Sequence, residues 1–193
     1  MTENGGANAA PFVLVGGGAR SGKSRYALAR ATAFAQGGAA TFIATAEASD
    51  VEMTARIARH KEERGAHLRM STLEAPLELP AALDAARGPA PILVDCLTLW
   101  MSNLLVRGAS LDEALARVED LRRAVGRRAG PVVLVTNEVG MGLVPETPLG
   151  RAFRDLSGIA HQRLARDADE IHHCVLGMVL RLRPGPVVAE TPP

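Results

Sequence analysis

The stretch Gly17-Gly18-Ala19-Arg20-Ser21-Gly22-Lys23-Ser24 fits the phosphate-loop spacing G-x-x-x-x-G-K-[ST]. Before it, Phe12-Val13-Leu14-Val15 is a short apolar run of strand type. After it, residues 25–35 are rich in Ala, Leu and Arg and read as a helix. A strand that turns through glycines into a helix gathers backbone N–H groups and the positive end of the helix dipole around one concavity, which suits a polyphosphate. In that frame Lys23 reaches the β- and γ-phosphates, and the Ser24 hydroxyl is a magnesium ligand. Gly17, Gly18 and Gly22 let the main chain close in without Cβ clashes, with Ala19, Arg20 and Ser21 between them.

A chain with 19 glycines can match the glycine positions by accident, but the lysine is harder to match. Of the 22 Lys and Arg residues only Lys23 and Lys61 are lysine, and one of the two stands where the pattern demands it. An arginine there is bulkier and presents a planar fork instead of a point charge. The sequence therefore reads as a nucleotide-binding protein.

With 193 residues, 47% of them hydrophobic and 22% charged, the chain reads as a single globular domain over residues 1–193. The net charge is +1, there is no basic run, and aromatic residues make up only 3%, so nothing favours a nucleic-acid surface. No apolar stretch approaches a membrane span, and residues 1–11 have neither a basic start nor an apolar core, so a cytoplasmic location is expected. Cys96 and Cys174 each lie in an apolar run and read as buried reduced thiols.

Residues 1–11 and the proline-rich tail 184–193 read as flexible, frayed or extended. Between them, apolar runs at 12–15, 40–44, 92–94, 132–135 and 171–176 alternate with helical stretches, predicting an α/β fold: a mostly parallel sheet with helices on both faces. Ser49-Asp50-Val51-Glu52 and Ser110-Leu111-Asp112-Glu113 both match the capping box of a helix start. Leu111, Leu115, Val118, Leu121 and Val125 follow helical spacing and read as a core-facing stripe.

Three further stretches carry chemistry. Ile92-Leu93-Val94-Asp95 is an apolar strand ending in an acid, the form of a second nucleotide-site element in which the carboxylate holds magnesium directly or through water; the plainer role for Asp95 is to cap the segment that follows. The helix opened at Ser49 places Arg56, His60 and Arg64 on one face with Lys61 beside His60. Surrounding cations favour the neutral imidazole, which is a nucleophile, and they attract phosphate; an ordinary solvated histidine fits the same spacing. Residues 132–140 form an apolar strand ending in Thr136-Asn137-Glu138, followed by a glycine-containing loop through Met141-Gly142-Leu143-Val144-Pro145-Glu146 that suits a substrate loop. His172-His173 are adjacent strand residues on opposite faces with no third ligand near them in sequence, which makes them ordinary histidines and not a metal site.

Together, Gly17 through Arg25, then Phe42-Ile43-Ala44-Thr45-Ala46, Arg56-Ile57-x-x-His60-Lys61-x-x-Arg64, Asn137-Glu138-Val139-Gly140-Met141-Gly142-Leu143-Val144-Pro145-Glu146 and Arg151-x-Phe153-Arg154-Asp155 are similar to the bifunctional adenosylcobinamide kinase/adenosylcobinamide-phosphate guanylyltransferase family. The resemblance runs in order over about residues 12–182. It implies a P-loop NTPase fold of the RecA-like branch, a homotrimer, and two reactions. In the first, ATP or GTP phosphorylates adenosylcobinamide; in the second, adenosylcobinamide phosphate receives GMP from GTP, leaving pyrophosphate. It implies that His60 carries GMP covalently and that Lys23 serves catalysis. Nucleotide contacts are implied for Gly17, Gly18, Ala19, Arg20, Ser21, Gly22, Lys23, Ser24, Thr45, Ala46, Glu47, Lys61, Glu62, Glu63, Arg64, Glu74 and Asp95, with Mg2+ at Ser24 and Asp95. The chain departs from the family in having His161-Gln162 where Asn-Gln is common. A monofunctional small-molecule kinase and a nucleotide-switch protein are the alternatives; the latter lacks an Asn-Lys-x-Asp run and an Asp-x-x-Gly after residue 94.

Overall fold

A computed structural model describes residues 10–47 and 70–190. Eight strands form one sheet: β1 (Phe12–Gly17), β2 (Ala40–Ala44), β3 (Met70–Glu74), β4 (Ile92–Asp95), β5 (Val132–Asn137), β6 (Glu170–Val175), β7 (Met178–Arg183) and β8 (Val188–Glu190). The described helices are α1 (Lys23–Ala35), α2 (Leu79–Ala85), α3 (Leu97–Val106), α4 (Leu111–Gly126) and α5 (Pro148–Asp167). The helix expected from Ser49 lies outside the described residues.

The strand order is β3-β2-β4-β5-β1-β6-β7-β8. The first six strands in this order pair in parallel, and β7 and β8 extend the sheet antiparallel. The mostly parallel α/β expectation therefore holds. Three strands were not expected from the sequence. β3 is a largely exposed edge strand, β7 is interrupted by Arg181 and Arg183, and β8 lies in the proline-rich tail that reads as frayed or extended. Their pairing partners supply what their own residues do not announce.

Alternation along the strands builds two cores. Phe12, Leu14, Ile43, Ile92, Val94, Val132 and Leu134 face one side, where α2 to α5 contribute Leu83, Leu97, Trp100, Leu121, Leu156 and Leu164. Val13, Val15, Phe42, Leu93, Val133 and Val135 face the other, against Tyr26, Ala27 and Ala31 of α1. In the α4 stripe Val118, Leu121 and Val125 are buried, with Leu111 and Leu115 packed beside them, as the spacing predicts. Burying a side chain the size of Leu121 contributes roughly 1.5–3 kcal/mol. The Ser110 capping box forms: Ser110 Oγ accepts from the Glu113 N–H at 3.2 Å and Glu113 Oε2 accepts from the Ser110 N–H at 2.7 Å. Cys96 and Cys174 are buried free thiols.

Candidate active site

Parallel pairing brings the carboxyl ends of six strands to one edge. In register, Gly17 stands beside Asn137 and Cys174, and Ala44 beside Glu74 and Asp95. The phosphate loop springs from the middle of this edge. Gly22, at φ +88°, takes the left-handed conformation that starts α1. It supplies no side-chain cap, and the first turn holds no acid, so the leading N–H groups of α1 are not capped from within the helix. Two further features suit an oxyanion. The Ser21 Oγ is buried with no hydrogen-bond partner among the described residues. Lys23 is only 8% exposed, with its Nζ donating to Gly18 O at 3.0 Å. Burial pushes the Cys96 and Cys174 thiols up, and the Lys23 ammonium pulls both the other way.

A chain of polar contacts pins α1 from behind. Arg30 Nη2 donates to both Glu170 oxygens at 2.6 Å, Glu170 Oε2 lies 2.9 Å from His172 Nε2, and His172 Nδ1 lies 3.1 Å from the Tyr26 hydroxyl. Buried His172 is thus a structural residue, as its strand position predicts. Among the described residues there is no His, Cys, Asp and Glu cluster that would hold a metal ion.

The ends of β2, β4 and β5 build a hydrogen-bonded shelf. Thr45 Oγ1 donates to Cys96 O at 2.7 Å and accepts from Cys96 N at 2.9 Å, while Asn103 Nδ2 donates to Thr45 O at 2.9 Å. Thr98 Oγ1 accepts from both Asn137 N, at 2.9 Å, and Asn137 Nδ2, at 3.0 Å. Thr98 emerges only from the structure, since no pattern singles it out. Asp95 ends β4, and the helix cap after it is Cys96, so Asp95 is not the cap. The strand between the phosphate loop and Asp95 is β5. Adjacent strands lie about 4.8 Å apart, so the loop and the acid face each other across roughly 10 Å of sheet.

The end of β5 is locked to the loop by Glu138 N donating to Gly17 O at 3.0 Å. Arg154 of α5 donates to Gly140 O at 2.9 Å, and Arg151 donates to Pro145 O and Glu146 O at 3.1 and 2.7 Å. The arginines of the Arg151-x-Phe153-Arg154 run therefore hold the 140–146 loop. That loop exposes Met141, Leu143 and Val144. His161 Nε2 lies 2.7 Å from Thr136 Oγ1, and burial lowers its pKa, with the Glu138 carboxylate pulling the other way.

Of the residues expected to meet nucleotide, Gly17 to Ser24, Thr45 and Asp95 lie at this edge. The Thr45 hydroxyl is engaged by the Cys96 backbone, and Glu47 pairs with Arg107 at 3.0 Å. Ala46 follows directly after Thr45, and Glu74 ends the edge strand β3, exposed. Arg56, His60, Lys61, Glu62, Glu63 and Arg64 lie outside the described residues.

A phosphate loop at the carboxyl edge of a parallel sheet, with an acid-bearing strand one strand removed, defines a P-loop NTPase fold of RecA-like order. A solved ATPase domain has the same fold, at TM-score 0.53 and 13% identity over 93% of this chain and 79% of that one. So does the ATP synthase subunit NeqB from Nanoarchaeum equitans, at TM-score 0.52 and 12% identity over 87% of this chain and 46% of that one. Within that class, residues 13–182 match the family described as cobinamide kinase / cobinamide phosphate guanyltransferase. A Pseudomonas aeruginosa relative, named bifunctional adenosylcobalamin biosynthesis protein CobP, is 43% identical over 90% of this chain and 98% of its own length. A Salmonella typhimurium relative, named bifunctional adenosylcobalamin biosynthesis protein CobU, is 40% identical over 89% of this chain and 99% of its own. The chain belongs to this family of enzymes, which joins a kinase to a guanylyltransferase.

Proposed function

We propose that this chain, acting as a single domain, phosphorylates adenosylcobinamide with ATP or GTP and then transfers GMP from GTP to adenosylcobinamide phosphate, in cobalamin biosynthesis. The observation that carries the reading is the phosphate loop with its buried Lys23 and a buried Ser21 hydroxyl that has no partner among the described residues, in a chain of this family. Uncapped α1 N–H groups and Lys23 bind and orient the triphosphate. The Ser24 hydroxyl and Asp95 carboxylate are hard oxygen donors that suit Mg2+, which when bound offsets charge on the phosphate oxygens.

In the second reaction His60 is the nucleophile. A ring nitrogen bonds the α-phosphorus as the bond to the β-bridging oxygen breaks, and the electron pair leaves with pyrophosphate. An oxygen of the acceptor's phosphate then bonds the same phosphorus as the P–N bond breaks. Arg56, Lys61 and Arg64 offset charge on the α-phosphate and pyrophosphate, and the family resemblance adds Glu62 and Glu63 to the nucleotide contacts. Thr45, Ala46, Glu47 and Glu74 border the nucleotide. No described helix is long and apolar enough to cross a membrane; a cytoplasmic homotrimer completes the reading.

The test is incubation with GTP labelled at the α-phosphate. An acid-labile, alkali-stable protein adduct is expected, and His60→Ala should abolish it. If the label never becomes covalent, the transferase route is wrong and a kinase alone remains.

A further inference from the structure

Glu138 has no part in the nucleotide contacts above, yet its carboxylate is set with care. β5 lies between the phosphate-loop strand and the strand that ends in Asp95, and Glu138 is the first residue beyond it. The Glu138 N–H donates to Gly17 O at 3.0 Å, which fixes the residue beside the mouth of the loop. Its Oε1 accepts from the Gly140 N–H at 2.6 Å. A Cβ at Gly140 would stand 2.9 Å from that same oxygen, so a larger residue there would shift the carboxylate. Among the described residues Oε2 has no hydrogen-bond partner. Burial keeps His161 toward its neutral form, so the nearby imidazole does not claim the carboxylate as an ion pair. The residues that follow expose Met141, Leu143 and Val144, a rim suited to a large, partly apolar acceptor.

We propose that Glu138 is the general base of the kinase step, with Oε2 taking the proton of the acceptor's hydroxyl. The hydroxyl oxygen bonds the γ-phosphorus while the bond from that phosphorus to the β-bridging oxygen breaks. The electron pair leaves with the nucleoside diphosphate, and the proton rests on Glu138. The Gly140 N–H holds Oε1, so the carboxylate is oriented before the acceptor arrives. This assignment rests on the kinase reading above.

Glu138→Gln separates the base from the clamp. The amide oxygen still accepts from Gly140, but the side chain no longer takes a proton. The expected result is a fall in the rate of adenosylcobinamide phosphorylation of about 100-fold or more, the usual scale for a lost general base. GTP affinity, titrated with magnesium present, should stay within roughly threefold of wild type, because binding does not use the base. Phosphorylation within about fivefold of wild type would overturn the proposal and leave Glu138 as a loop clamp. A loss of GTP affinity parallel to the loss of rate would also overturn it, by making Glu138 a nucleotide ligand. The wild-type control keeps the two readings apart: a wild-type chain that binds GTP but does not phosphorylate adenosylcobinamide refutes the kinase reading itself.

Discussion

Gly17 and Gly18 look alike in the phosphate-loop pattern but occupy different surroundings. A Cβ on Gly17 would stand 2.6 Å from Cys174 O, 2.6 Å from Ser21 Oγ and 3.2 Å from Cys174 Cβ. Ordinary contact begins at 3.4 Å, so Gly17→Ala falls about 0.8 Å short of the space it needs. One obstacle is the main chain of β6, which pairs with β1 at this residue. Relief therefore requires parting the ladder or displacing Ser21, and overpacking of this kind costs about 1–3 kcal/mol. A backbone obstacle places the variant toward the upper end of that range. Because the displaced residue belongs to the phosphate loop, GTP affinity should fall by about tenfold or more, each 1.4 kcal/mol being a factor of ten. Gly18→Ala is the control: its Cβ meets nothing within 4 Å, and its stability should lie within about 0.5 kcal/mol of wild type. Urea denaturation followed by the fluorescence of the one tryptophan, with GTP titration alongside, measures both quantities. If the two alanine variants unfold at the same urea concentration, the steric argument is wrong.

Trp100 is fully buried, and its Nε1 donates to Leu77 O at 2.8 Å. Trp100→Phe should cost about 1–3 kcal/mol in thermal or chemical denaturation, through the lost hydrogen bond and the cavity together. Burial lowers the His161 pKa in the folded chain, so below about pH 6.5 the unfolded chain takes up a proton that the folded chain does not. Stability should therefore fall as pH drops through that value toward the folded pKa, and His161→Asn should flatten the fall when denaturation midpoints at about pH 5.5 and 7.5 are compared.

The phosphate loop is legible in the sequence because its chemistry demands fixed residue types at fixed spacing. The strands β1, β2, β4 and β5 are legible because burial on both faces leaves apolar runs, and β6 shows through Ile171 and the run Cys174-Val175. β3 escapes notice because Ser71, Thr72 and Glu74 face solvent on an edge, and β7 because Arg181 and Arg183 break its apolar run. Both are set by their neighbours in the sheet, which no local pattern records. The site divides along the same line. Lys23 and Asp95 could be picked out one by one, whereas Thr98 matters only because parallel pairing delivers Asn137 to it. The clamp of Arg151 and Arg154 likewise appears only once α5 lies against the loop they hold.

The placement of β1 between β5 and β6 bears on how the protein is made. Both partners of the phosphate-loop strand come from the far half of the chain, and Phe12 N is tied to Asp169 Oδ2 across 157 positions. A ribosome releases the nucleotide signature early and the strands that shape it much later. Until β5 and β6 emerge, β1 is an apolar segment with neither of its neighbours, a natural client for a chaperone. Long-range pairing of this kind slows folding and makes the loop one of the last parts to take form. The nascent chain thus carries the nucleotide signature well before it can bind GTP.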